Sequence, residues 1–273
     1  MADVQWYPGH MKKAERVMEE SLKLVDAVCE IADARIPYSS RNPDLDKIIA
    51  GRKPRLLILN RADQADPVVT ALWRGYYREN GIAFLECDAR SGRGVKEFSQ
   101  KLRAVTGKEG PLRAMVAGVP NVGKSTFINK ISGRRSAEAS DRPGVTRGKQ
   151  WITVDEKLEL LDTPGILWPR FDDQAVGERL AFTGAVKDEI LDTEILAAKL
   201  LDTLRHSYPT AITERYKFTP EPDEPGWKLL QTAARKRGFL VSGGEVDTSR
   251  MAAVLLDEFR GGKLGRISLE KPR

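Results

Sequence analysis

Eight residues constrain this chain more than any others: Gly118-Val-Pro-Asn-Val-Gly123-Lys124-Ser125, a complete G-x-x-x-x-G-K-S. They follow an apolar run at 114–117 and open into Thr126-Phe127-Ile128-Asn129, a helix-forming stretch. A strand, a loop and a helix in that order form the context such a loop needs to hold phosphates. Its glycines let the backbone wrap the anion, and successive N–H groups at a helix start supply positive potential. Lys124 is placed to reach the β- and γ-phosphates, and the Ser125 hydroxyl to ligate magnesium. Asn121, Val122, Gly123 and Thr126 complete the expected phosphate-binding set. A chance Gly-rich turn would lack the flanking strand and helix.

The surrounding chain supports that unit. Strand-like apolar runs occur at 27–32, 55–59, 82–86, 113–117, 150–154 and 158–161, with helical segments at 44–50, 67–79, 95–105 and 124–131. This alternation predicts an α/β domain with a mostly parallel sheet and helices on both faces. Beyond Pro169 the strand pattern fades, and 174–206 and 225–260 predict helices separated by a Pro-rich turn. Two domains are expected, an α/β domain over 1–172 and a smaller all-α C-terminal domain over 173–273.

Further motifs follow predicted strands, so all should gather on the edge where such sheets bind ligands. Asp162-Thr-Pro-Gly165 ends the run at 158–161. An Asp there can hold magnesium, and the Gly165 N–H can meet a γ-phosphate. Pro143-Gly144-Val145-Thr146 lies between these two motifs, which makes Thr146 the expected second hydroxyl ligand, released when the γ-phosphate is lost. A lone loop threonine is otherwise usually just solvated.

Asn60-Arg61-Ala62-Asp63 follows the run at 55–59 and resembles N-K-x-D. The Asp63 carboxylate can accept from guanine N1–H and the 2-amino group together; adenine lacks both donors and would leave it unpaired. Asn60 would brace the loop, and the stem of Arg61 would cover the base face as a lysine's does. Taken alone, N-x-x-D is as often an Asx turn. Asp88-Ala89-Arg90 follows the next run where S-A-K is usual, so the Ala89 N–H is expected to meet guanine O6. These base motifs precede the phosphate loop, the reverse of the ordinary order. The short link 106–111 (TGKEGP) can join the ancestral ends across the opposite edge.

Rapid GTP hydrolysis usually relies on a Gln after D-x-x-G, but Ile166 stands here, followed by Leu167 and Trp168. An aliphatic side chain cannot orient water. Of the two histidines, His10 lies in Trp6-Tyr7-Pro8-Gly9-His10-Met11, and chemistry alone favours an exposed terminal imidazole there.

Composition excludes several classes. With 41% apolar and 31% charged residues the chain is of globular type, and no apolar run approaches the roughly 20 residues that span a bilayer. No secretory leader is expected, since Asp3 and early lysines stand where its apolar core would lie. Cys29 and Cys87 sit in apolar runs, which suits buried thiols in the cytoplasm better than a disulfide framework. The net charge of +6 leans toward an anionic partner. Basic groups recur around Lys12, Arg134, Arg142, Arg235 and Arg260; each alone could be solvated surface, while together they favour RNA.

WYPGHM at 6–11, DARIPYSSRNP at 33–43, NRAD at 60–63, GVPNVGKST at 118–126, RPGVT at 142–146, LLDTPGILWP at 160–169 and FRGGKLGRISLE at 259–270 together resemble the circularly permuted GTPases of the YlqF/YawG family. The resemblance implies a P-loop GTPase fold, Mg²⁺ as cofactor, and GTP hydrolysed to GDP. It implies the large ribosomal subunit and its rRNA as partners in late assembly, contacted through the helical domain; separately, no membrane partner and a monomeric state are expected. It further implies that His10 acts in place of the missing Gln, with Lys124 as the second catalytic group. Asn121 matches a P-loop asparagine that ligates potassium in cation-stimulated relatives. Arg61 and Asp88 depart from the family pattern. A nucleotide-gated RNA scaffold with incidental hydrolysis is the alternative class, and an ATPase a third.

Overall fold

The computed structural model describes residues 9–49, 51–133, 150–165, 167 and 173–272, with side chains from Arg16 onward. Helix α1 (Gly9–Leu22) leads into strand β1 (Ala27–Asp33), every residue of which is buried. Helices and strands then alternate: α2 (Pro43–Ile49), β2 (Arg55–Asn60), α3 (Pro67–Glu79), β3 (Phe84–Glu86), α4 (Phe98–Thr106), β4 (Leu112–Gly118) and α5 (Lys124–Ser132). A hairpin of β5 (Gln150–Asp155) and β6 (Leu158–Asp162) completes one six-stranded sheet of order β3-β2-β1-β4-β6-β5. All neighbours are parallel except the edge pair β5 and β6. The near-unbroken apolar runs of β1, β2 and β4 suit strands covered on both faces.

The chain builds outward from β1 to β3, then returns past β1 to start β4. That reversal opens a crevice between β1 and β4 at their carboxyl ends, where doubly wound sheets bind ligands. The predicted link 106–111 connects α4 to β4 at the other edge. Gly107 ends α4 with φ 64°, and the Arg103 guanidinium collects the carbonyls of Lys108, Glu109 and Gly110 at 3.0–3.2 Å. One arginine thus satisfies carbonyls that a short irregular link leaves without backbone partners.

Helices fill the chain from α6 (Gln174–Phe182) through α7 (Thr193–Ser207), α8 (Pro209–Tyr216) and α9 (Gly226–Lys236) to α10 (Thr248–Arg260). The spans predicted as helical, 174–206 and 225–260, each hold two helices, α6 and α7 in the first and α9 and α10 in the second. Gly184 at φ 78° turns the chain out of α6, and Gly238 at φ 66° does the same after α9. Left-handed backbone ends a helix, and glycine enters it without steric cost. Helix α7 is central, and α9 starts so close to it that a Cβ on Gly226 would lie 2.0 Å from the Ala198 carbonyl oxygen. A second difference lies at 95–97, where a 3-10 turn (Val95–Glu97) precedes α4.

After α10 the chain leaves the helices and returns to the α/β half. The Ile267 N–H donates to Gln64 O at 2.8 Å and the Leu269 N–H to Arg35 O at 2.9 Å. The Glu270 carboxylate, 9% exposed, accepts from the N–H groups of Tyr38 and Ser39 and from the Ser39 hydroxyl. No helix among the described residues is long and apolar enough to cross a membrane.

Candidate functional site: a guanine-nucleotide crevice

At the end of β4, glycines permit contacts that a side chain would block. A Cβ on Gly118 would meet the Ile31 carbonyl oxygen at 2.5 Å, so the loop leaves the sheet directly over β1. Gly123, at φ 90°, starts α5 with its Cα facing Asn60: a Cβ there would lie 2.3 Å from Asn60 Nδ2. The following Lys124 is buried, and its Nζ stands 3.9 Å from Oδ1 of Asp162. Burial pulls its ammonium below the ordinary lysine range, and Asp162 opposes that pull.

The Asp162 side chain starts from the last residue of β6, in register with Val116 of β4. The next two residues, Thr163 and Pro164, bring Gly165 against the loop, where a Cβ would be only 3.0 Å from the Pro120 backbone. The Thr163 hydroxyl donates to Val116 O at 2.8 Å and pins that segment to β4. Ser125, partly buried, begins the second residue of α5. A hydroxyl and a carboxylate together are hard oxygen donors, the set magnesium prefers. Ser125 and Asp162 would hold Mg²⁺, which supplies charge neutralisation for the phosphates when bound.

Asn60, at the end of β2, stitches three motifs together. Its Nδ2 donates to Val122 O at 2.8 Å, and its Oδ1 accepts the Ala89 N–H at 3.0 Å and the Cys87 thiol at 3.7 Å. The Ala89 N–H, expected at guanine O6, is thus directed at Asn60 in this conformation. Asp88 turns back on its own loop, accepting the Arg90 N–H at 2.9 Å. Burial raises its carboxyl, but hydrogen bonds from Ser91 and Arg90 outweigh that and hold it low. That loop-capping role needs only a side-chain acceptor, which explains how Asp replaces the usual Ser. Ala62 is set by its N–H on Cys87 O at 3.1 Å. Beside it, Asp63 Oδ1 is buried with no hydrogen-bond partner among the described residues. A buried carboxylate oxygen left so is costly, and a ligand edge bearing N–H donors would satisfy it. That fits guanine.

Sequence reasoning missed a group beside this crevice. Asp33, at the end of β1, is buried and takes both Nε and Nη2 of Arg35, at 2.9 and 2.8 Å. Burial raises its carboxyl, yet Arg35 and Arg61 outweigh that and hold it below the ordinary carboxylate range. Arg35 Nη1 donates to Phe259 O at 2.8 Å, joining the first strand to the last helix. Asp33 and Arg35 open the DARIPYSSRNP motif, but nothing in the sequence showed that they pair with each other or reach the last helix. The basic groups at 235–237 and 260–266 are partly consumed internally: Arg237 pairs with Glu258, Arg260 with Asp188, and Arg266 reaches Ala65 O. Thr146 and Ile166 lie outside the described residues. His10 falls in α1, but its side chain is outside them too.

A phosphate loop on β4, an aspartate on β6 and an N-x-x-D loop on β2, arranged around one crevice in permuted order, define a P-loop GTP hydrolase. The family model described as "50S ribosome-binding GTPase" matches residues 113–215. Ribosome biogenesis GTPase A of Bacillus cereus is 45% identical, with 98% of this chain and 94% of that protein aligned. Its namesake in Thermotoga maritima is 31% identical over 98% of this chain and 95% of its own length. The GNP-bound crystal structure of YlqF from T. maritima superposes with a TM-score of 0.71 at 28% identity, covering 96% of this chain and 99% of that one. The GDP-bound structure of TM YlqF gives 0.74 at 27% identity, covering 93% and 98%. The chain belongs to the YlqF family of circularly permuted GTPases, the family of ribosome biogenesis GTPase A.

Proposed function

We propose that this GTPase assists late assembly of the large ribosomal subunit, engaging its rRNA in the GTP state and leaving after hydrolysis. The observation carrying this reading is the 45% identity to a ribosome biogenesis GTPase along nearly the whole chain, helical half included. Residues 1–172 would form the GTPase domain and 173–273 the RNA-contacting one. Helix α9 offers a suitable surface: Trp227 is 53% exposed, with Lys228 Nζ 5.4 Å from its ring, and Arg235 and Lys236 are exposed further along. An exposed aromatic beside cations suits stacking on unpaired bases and pairing with phosphates. The protein acts in the cytoplasm as a monomer.

Asn60, Arg61, Ala62, Asp63, Asp88 and Ala89 would hold the base, and the residues from Asn121 to Thr126 with Gly165 the phosphates. Thr146 would join Ser125 and Asp162 on Mg²⁺, and Asn121 would add a K⁺ site. His10, with Lys124, would serve hydrolysis once RNA orders the site, since positioning and charge stabilisation dominate phosphoryl transfer.

Cosedimentation with large subunits, in GDP against a non-hydrolysable GTP analogue, tests the partner. Retention about tenfold stronger with the analogue is expected, and equal retention would refute GTP-dependent binding. In single-turnover hydrolysis, His10→Ala should lose about 10²-fold or more of the subunit-stimulated rate. Equal stimulation of variant and parent would remove His10 from the mechanism.

A further inference from the structure

Helix α10 ends against the nucleotide crevice. The carbonyls of a helix's last turn lack intrahelical partners and carry the negative end of its dipole. Here two arginines from the loops after β1 and β2 meet them: Arg35 at Phe259 O, 2.8 Å, and Arg61 Nη1 at Arg260 O, 3.3 Å. The other arm of Arg61, Nη2, donates at 2.8 Å to Asn121 O in the phosphate loop. The Asn121 side chain in turn donates to Gly184 O at 2.7 Å, in the turn after α6. That turn is clamped by Arg260 itself, which reaches Ala181 O and Phe182 O at 3.0 and 3.2 Å and grips Asp188 with both terminal nitrogens. The contacts close into a ring: Arg61, Asn121, the 181–188 turn, Arg260 and back to Arg61.

Contacts between adjoining helices and loops are ordinary, and alone would mean only packing. Two features set these apart. Arg61 and Asn121 both hold left-handed backbones, φ 61° and 60°, a conformation that non-glycine residues seldom adopt and that surrounding contacts must maintain. Both also belong to the nucleotide loops, one to the base motif and one to the phosphate motif. In addition, Arg61 stands where the motif usually carries lysine. A lysine ammonium is a single nitrogen, whereas the guanidinium fork serves two carbonyls with two nitrogens at once.

We infer that Arg61 is a positioning residue that couples guanine-nucleotide occupancy to the 181–188 turn and the end of α10. Nucleotide that fixes the 60–63 and 118–125 loops fixes the backbone that carries Arg61 and one of its two acceptors, Asn121 O, and so holds the guanidinium toward the other, Arg260 O. Linkage makes the effect reciprocal: an intact ring tightens nucleotide binding by the factor with which nucleotide stabilises the ring. The inference needs only guanine-nucleotide binding, so it stands or falls separately from the ribosomal role.

A double-mutant cycle on the full chain, with GDP affinity as readout, tests it. Arg260→Lys keeps a cation but cannot make the fork to Asp188 while holding both carbonyls. It should weaken GDP binding about 5–20-fold when Arg61 is present, and by less than about twofold in the Arg61→Lys background. Equal losses in both backgrounds, or no loss in either, would overturn the inference. Amide hydrogen exchange on the unmutated protein gives an independent reading. Saturating GDP should slow exchange at 182–186 and 261–263, and the slowing should vanish in Arg61→Lys at saturating GDP. Unchanged exchange in the parent, or equal slowing in the variant, would likewise overturn it.

Discussion

At the scale of single residues, base choice in the proposed reading would rest on one oxygen. Asp63 Oδ1 is buried and has no internal partner among the described residues, so its selectivity comes from what a ligand offers it. Replacing Asp63 by Asn exchanges an acceptor for an amide that presents a donor. Competition binding should show guanine nucleotides losing about 10²-fold or more while xanthine nucleotides gain. Unchanged preference would place recognition elsewhere. Asn60 shows the complementary case. It has partners in the phosphate loop and the 88–93 turn, and the close approach of Gly123 leaves no room for a Cβ between them.

At the scale of elements, the last turn of α10 is held by charge at Glu258. Arg215 Nε, the Tyr216 hydroxyl and Arg237 Nη2 donate to Glu258 at 3.0, 2.8 and 3.0 Å. Burial pushes this carboxyl up, but the three donors more than offset it and hold Glu258 below its ordinary value of 4.5. A depressed carboxylate stabilises the fold fully above the unfolded value, and that contribution is lost as pH falls through the folded one. Glu258→Gln should therefore cost about 2 kcal/mol at pH 7 in denaturant unfolding. Its deficit against the parent should shrink as pH is lowered below about 4.5 toward 3. A deficit constant with pH would mean that shape, and not charge, matters there.

At the scale of the whole molecule, the segment after α10 is a strap across the α/β half. Glu270 supplies acceptors for the backbone N–H groups of Tyr38 and Ser39 and for the Ser39 hydroxyl, Arg179 approaches it at 3.4 Å, and its carbonyl takes Trp73 Nε1 at 3.1 Å. Glu270→Ala would strand those donors and should lower unfolding free energy by about 2–3 kcal/mol, read by urea denaturation. A loss below about 0.5 kcal/mol would show the strap to be loosely held.

What the sequence determined alone is what local chemistry encodes. The phosphate loop announces itself because strand, glycines, lysine and helix are contiguous. The permuted order needed only the positions of NRAD and GVPNVGKS along the chain. Strand and helix runs were legible from periodicity, most closely in α3, where Asp66 caps the helix and Pro67 opens it. The helix breaks at Gly184 and Gly238 escaped notice because a glycine's left-handed turn depends on its surroundings. Only the tertiary structure decided the partners of Arg35, Asp33, Ser39, Arg61 and Glu270. Arg35 meets Phe259 across 224 positions and Ser39 meets Glu270 across 231, and no periodicity or spacing spans such gaps. Those pairings exist because folding lays the end of α10 and the strap along the edge where β1 and β2 finish, so hydrogen-bond donors and acceptors far apart in the chain meet there out of water.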